Sequence, residues 1–124
     1  MNLLEELKNI IESDPMCKEI NVVEQRFFSH MQFSFKIRAK FVRDYNFQAR
    51  IYYNRGHVDY AYQLFTNIPL LRWDNKEEFR NMKSFPHHYH DDHACVYESP
   101  LTGDVFKDIK IVLLKIADYL LTKP

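Results

Sequence analysis

From Gln32 to Phe41 the chain reads QFSFKIRAKF, and every second residue is apolar. Phe33, Phe35, Ile37, Ala39 and Phe41 alternate with Gln32, Ser34, Lys36, Arg38 and Lys40. Successive side chains of an extended strand point to opposite faces, so this period of two builds one apolar face and one basic face. A helix, at about 3.6 residues per turn, would scatter both sets around its circumference. The stretch predicts a strand buried on one side and open on the other.

The neighbouring segments extend the pattern. RDYN (Arg43 to Asn46) reads as a turn, followed by FQARIYY with Phe47, Ala49, Ile51 and Tyr53 inward and Gln48 and Arg50 outward. NRG (Asn54 to Gly56) is a second turn, with Gly56 free to adopt positive φ. HVDYAYQLF gives a third strand and Leu70 to Trp73 a fourth, while Gln25 to Ser29 adds one before them. These connections are too short for crossovers, so the strands pair as antiparallel hairpins.

A sheet with one apolar face needs a cover. Val105, Ile109, Val112, Leu113, Ile116 and Leu120 repeat at helical spacing between Asp104 and Thr122, with Thr102 or Asp104 as cap. At the other end, Asn2 can cap a helix whose apolar side is Leu3, Leu4, Leu7, Ile10 and Ile11, and SDP (Ser13 to Pro15) ends it. The expected fold is α+β. It is an antiparallel meander of four to six strands, with an N-terminal and a C-terminal helix on one face, forming a single domain over residues 1–124.

Composition excludes several functions. The chain has two glycines, Gly56 and Gly103, so it holds no Gly-rich phosphate loop and no dinucleotide fingerprint. Cys17 and Cys95 lack a CxxC partner and read as ordinary thiols of a reducing compartment. The N-terminal MNLLEELKNIIE is broken by acidic residues, unlike a secretory signal, and no apolar run approaches the roughly 20 residues that span a bilayer. A cytoplasmic protein is expected.

Net charge is zero, yet unevenly spread. Residues 1–24 carry Lys8 and Lys18 against Glu5, Glu6, Glu12, Asp14, Glu19 and Glu24; residues 25–58 carry Arg26, Lys36, Arg38, Lys40, Arg43, Arg50 and Arg55 against Asp44. Lys36, Arg38, Lys40 and Arg50 fall on the polar face of adjacent strands, where they can meet the phosphates of one polyanion. The alternative is a solvated face with no ligand. An uncovered edge strand would also let two copies pair.

FPHHYHDDH (Phe85 to His93) holds four of the six histidines. If His87 to His90 run as a strand, His88 and His90 share a face and His87 and Tyr89 take the other. Arg72 and Asp74 of RWDN are natural companions. Three readings fit these residues. In the first, two histidines shuttle protons on RNA, one taking the ribose 2′-hydroxyl proton and one protonating the leaving 5′-oxygen, while Arg72 or Lys36 stabilises the phosphorane. This route needs no cofactor. In the second, the histidines bind a metal, with a further ligand from His30, His57, Asp74 or Asp91. In the third, the segment is an exposed polar strand and loop.

RWDN followed by FPHHYH resembles the TumE family of type II toxin–antitoxin toxins. Arg72, Asp74 and Asn75 match the family's first motif, and Phe85, Pro86, His87, His88 and His90 the second. The family's Ala-Pro-His-His after the asparagine is replaced here by Lys76, Glu77, Glu78 and Phe79. The resemblance implies a cytoplasmic toxin neutralised by a small DNA-binding antitoxin. Combined with the basic face, it favours a metal-independent endoribonuclease over a non-enzymatic binding module or a metal-dependent nuclease. His88 and His90 are then the proton-transfer pair, Arg72 the phosphate clamp and Asp74 the orienting carboxylate. His87 is the reserve if the register slips by one.

Overall fold

The computed structural model describes residues 2–123. Helix α1 (Leu3–Glu12) precedes seven strands: β1 (Cys17–Ser29), β2 (Gln32–Phe41), β3 (Asn46–Asn54), β4 (His57–Phe65), β5 (Pro69–Asp74), β6 (His88–His90) and β7 (Val96–Glu98). Helix α2 (Val105–Leu121) closes the chain. The strands form one sheet in chain order, every neighbour antiparallel. This is the expected α+β meander under two helices, carried to seven strands by short additions at its C-terminal edge.

Alternation decides the burial. Phe35, Ile37, Ala39 and Phe41 of β2 are buried, as are Phe47, Ala49 and Ile51 opposite them on β3. Leu7 and Ile11 of α1 and Ile109, Val112 and Ile116 of α2 complete the same core with no exposed surface. Asn2 Oδ1 accepts the Glu5 N–H at 2.9 Å and starts α1. Asp104 accepts from the N–H groups of Phe106 and Lys107 and starts α2. Asn54 pairs with His57, and the two residues between them, Arg55 and Gly56, have φ of 50° and 90°. Positive φ at both positions matches the hairpin twist, and only the glycine takes it without cost.

Three features differ in extent from the sequence reading. β1 begins at Cys17 rather than Gln25, because bulges between Cys17 and Glu19 and between Val22 and Glu24 break its period of two. β7 has three residues, too few for alternation to register. Arg43, at φ 57° in a left-handed turn over Val42–Asp44, crosses to α2 and donates to the carbonyls of Leu120 and Lys123 at 2.6 and 2.7 Å. It thus ties the turn after β2 to the end of α2, where Leu120 lies in a last turn with no basic residue of its own and Lys123 lies just beyond the helix.

Candidate active site on the open sheet face

The helices cover one face of the sheet and leave the other open. Register arranges the open face in rows across the strands. One row runs Glu24, Lys36, Arg50, Ala61, Asp74, His88, Glu98; the next runs Arg38, Gln48, Gln63, Arg72, His90. His88 and His90 therefore lie side by side on β6 and opposite Asp74 and Arg72 on β5, with imidazole centroids 5.0 Å apart. His87 is on the helix side, where its Nδ1 lies 2.7 Å from the Tyr60 hydroxyl and its ring stacks on Tyr60. Burial lowers its pKa from the ordinary imidazole value, against the pull of Asp108.

Asp74 is the hub. Its Oδ2 accepts from Arg72 Nε at 2.9 Å and its Oδ1 from the Lys76 N–H at 3.0 Å. His88 Nε2 approaches the same Oδ1 to 2.8 Å. The approach is close but out of line with the ring N–H direction, so Nε2 is a buried nitrogen with no hydrogen-bond partner among the described residues. On the other side of the ring, Nδ1 faces the Pro86 carbonyl at 3.2 Å and must be the donor there. Phe79, from the loop between β5 and β6, sets its ring edgewise on both imidazoles, at 4.7 Å from His88 and 6.1 Å from His90. With 1% of its surface exposed, His88 cannot touch a molecule lying on the open face. His90 is half-buried, and burial, with His88 and Arg72 nearby, holds its pKa below the ordinary imidazole value.

A pocket of about 390 Å³ adjoins Asp74. Lys36, Arg50, Arg72 and Lys76 bring four cationic side chains to its wall, against the carboxylates of Glu24, Asp59 and Asp74. Lys36 is held by Glu24 at 3.4 Å and Arg72 by Asp74. The side chains of Arg50 and Lys76 have no ion pair or hydrogen bond among the described residues. Of the four expected backbone-binding cations, the fold thus collects Lys36 and Arg50 here. Arg38 instead donates twice to Gln48, and Lys40 pairs with Glu19 at the far end of β2, about 13 Å along the strand from Lys36.

Sequence reasoning missed Lys76, Phe79 and Asn75's task. Phe79 is the lone aromatic in KEEFRNM, the available hint that this loop turns inward. Asn75, buried, extends the β4–β5 pairing with its side chain: Oδ1 accepts the Tyr60 N–H at 3.0 Å and Nδ2 donates to Val58 O at 2.7 Å.

Fold and cluster together define a small α+β protein with a carboxylate–imidazole centre on an uncovered sheet face next to unpaired cations. The family described as Toxin TumE matches residues 7–120, and the chain belongs to that family. No curated protein and no solved structure matches it. Among the described residues no helix is long and apolar enough to cross a membrane.

Proposed function

We propose that this toxin acts on RNA as an endoribonuclease, seating a phosphodiester among Lys36, Arg50, Arg72 and Lys76 and cutting it beside Asp74 and His90. The observation that carries the reading is the meeting of those four cations with the Asp74–His88–His90 cluster on one open face. Unpaired cations bind backbone phosphate without regard to base, and a guanidinium adjoining a titratable centre faces the charge that develops on phosphorus. A cytoplasmic site of action and a cognate DNA-binding antitoxin accompany this role.

The metal-free version of the chemistry has a gap. His90 can take the 2′-hydroxyl proton and Arg72 can face the phosphorane. The leaving 5′-oxygen then needs a second proton carrier, and neither buried His88 nor His87 on the opposite face reaches it.

Purified protein incubated with an end-labelled single-stranded RNA tests the reading. Fragments should appear with wild type and vanish with Arg50→Ala/Lys76→Ala, while circular dichroism stays unchanged. Intact RNA with folded wild-type protein, or full cleavage by the double variant, removes it.

A further inference from the structure

We infer that Asp74, His88 and His90 form a binding site for one divalent first-row transition ion of the zinc type. One ligand atom from each of these residues lies within 4.8 Å of the other two. The hydrogen bonds then decide what the group is built for. The Pro86 carbonyl fixes the His88 proton on Nδ1, so in the neutral ring Nε2 presents a lone pair. That lone pair is buried, unpartnered and 2.8 Å from a carboxylate oxygen, and it does not aim at that oxygen. Two acceptors in such contact repel unless a cation stands between them. Ligands bound side by side at about 2.0–2.1 Å from one ion stand about 2.9 Å apart at a right angle and about 3.3 Å apart in a tetrahedron, with lone pairs meeting at the ion rather than at each other. The His88–Asp74 geometry is of that kind.

The surroundings agree. A ligating histidine characteristically donates its other ring N–H to a carbonyl, which fixes the ring and its tautomer. Arg72 and the Lys76 N–H orient the Asp74 carboxylate, leaving a lone pair on Oδ1 free. The His90 side chain makes no hydrogen bond among the described residues, so its ring can turn to close the remaining gap. Phe79 sets its ring edge against both imidazoles, and His88 is shut off from water. Two imidazoles and one carboxylate select zinc-like ions over magnesium or calcium, and three protein ligands leave a coordination position for water or a phosphate oxygen. That position would open toward the pocket, which Asp74 also lines. The site stands on this geometry alone; its use as a Lewis acid on RNA phosphate rests on the endoribonuclease reading.

Untagged protein stripped with EDTA and titrated with ZnCl₂ or MgCl₂ tests the site, with uptake read by mass spectrometry after desalting and by calorimetry. The expected result is one zinc per chain, no retained magnesium, and a thermal midpoint that rises with zinc. His90→Ala and Asp74→Asn, checked by circular dichroism, should each weaken zinc binding by about tenfold or more. His57→Ala should bind as wild type. Failure of stripped wild-type protein to take up zinc, or equal affinity in folded His90→Ala, overturns the inference. The two readings separate cleanly. Zinc uptake without RNA cleavage upholds the site and removes the endoribonuclease, whereas cleavage by protein that takes up no zinc does the reverse.

Discussion

Asp74 and Asn75 are neighbours, both buried and both in the RWDN stretch, yet their tasks differ because their hydrogen-bond capacities do. An amide donates and accepts, so Asn75 can replace a missing stretch of strand by serving one N–H and one C=O of β4. A carboxylate only accepts, so Asp74 gathers the Arg72 guanidinium and the Lys76 N–H around it, with His88 Nε2 lying 2.8 Å away but out of line for a hydrogen bond. Asn75→Ala leaves one buried and one part-buried backbone group of β4 without partners and should destabilise the fold by about 2–4 kcal/mol. Urea unfolding checks this, and a loss below about 1 kcal/mol would show water filling the gap. The cations divide in the same way. Arg50→Ala should weaken RNA binding similarly for all sequences and reduce the salt slope of the binding constant by about one, read by filter binding across a salt series. Lys40→Ala should change it far less, since Lys40 stands away from the pocket and is paired with Glu19.

Two elements do work that their own sequence conceals. The segment between β5 and β6 has no regular structure over most of its length, but it folds back so that Phe79 closes over the imidazoles. Phe79→Ala should expose His88. Diethylpyrocarbonate, followed by peptide mass mapping, should leave His88 unmodified in wild type and modify it in the variant. The left-handed turn after β2 is the second case, because it presents Arg43 to the far end of the chain. Arg43→Ala removes the donor to the Leu120 and Lys123 carbonyls and should cost about 1 kcal/mol, measured by thermal or urea unfolding. Arg55, equally exposed but in the hairpin turn after β3, has no such contact and makes a fair comparison.

The whole molecule sets an apolar sheet edge beside the open face that carries the cations and the cluster. β1 forms one edge of the sheet, with Val23, Phe27 and Phe28 exposed to between 47% and 69%. Long edges that display apolar side chains favour association, and the bulges in β1 only partly interrupt this one. Wild-type protein is expected to self-associate as concentration rises in sedimentation velocity, and Phe27→Ser/Phe28→Ser to reduce this while changing unfolding free energy by no more than about 1 kcal/mol. Self-association at the wild-type level in that variant would move the contact away from this edge. The basic face lies on the same side as the cluster because Lys36, Arg50 and Asp74 occupy one row of the meander.

Much of this was legible without coordinates. A period of two assigns each residue of β2, β3 and β4 to a face whatever the tertiary packing, and helical spacing with Asn2 and Asp104 as caps places both helices. The shared face of His88 and His90 follows from the same alternation. Period says nothing about depth. It could not tell that His88 would lie beneath Phe79 while His90 stayed half open, or that β1 would start at Cys17, since bulges erase the period they interrupt. Nor could it choose Lys36 and Arg50 over Arg38 and Lys40, because that choice depends on register summed through successive hairpins. Local chemistry determines which way a side chain points, but only the closed fold decides what it meets, as contacts such as Asp74 to His88 or Arg43 to Leu120 join residues that no local pattern connects.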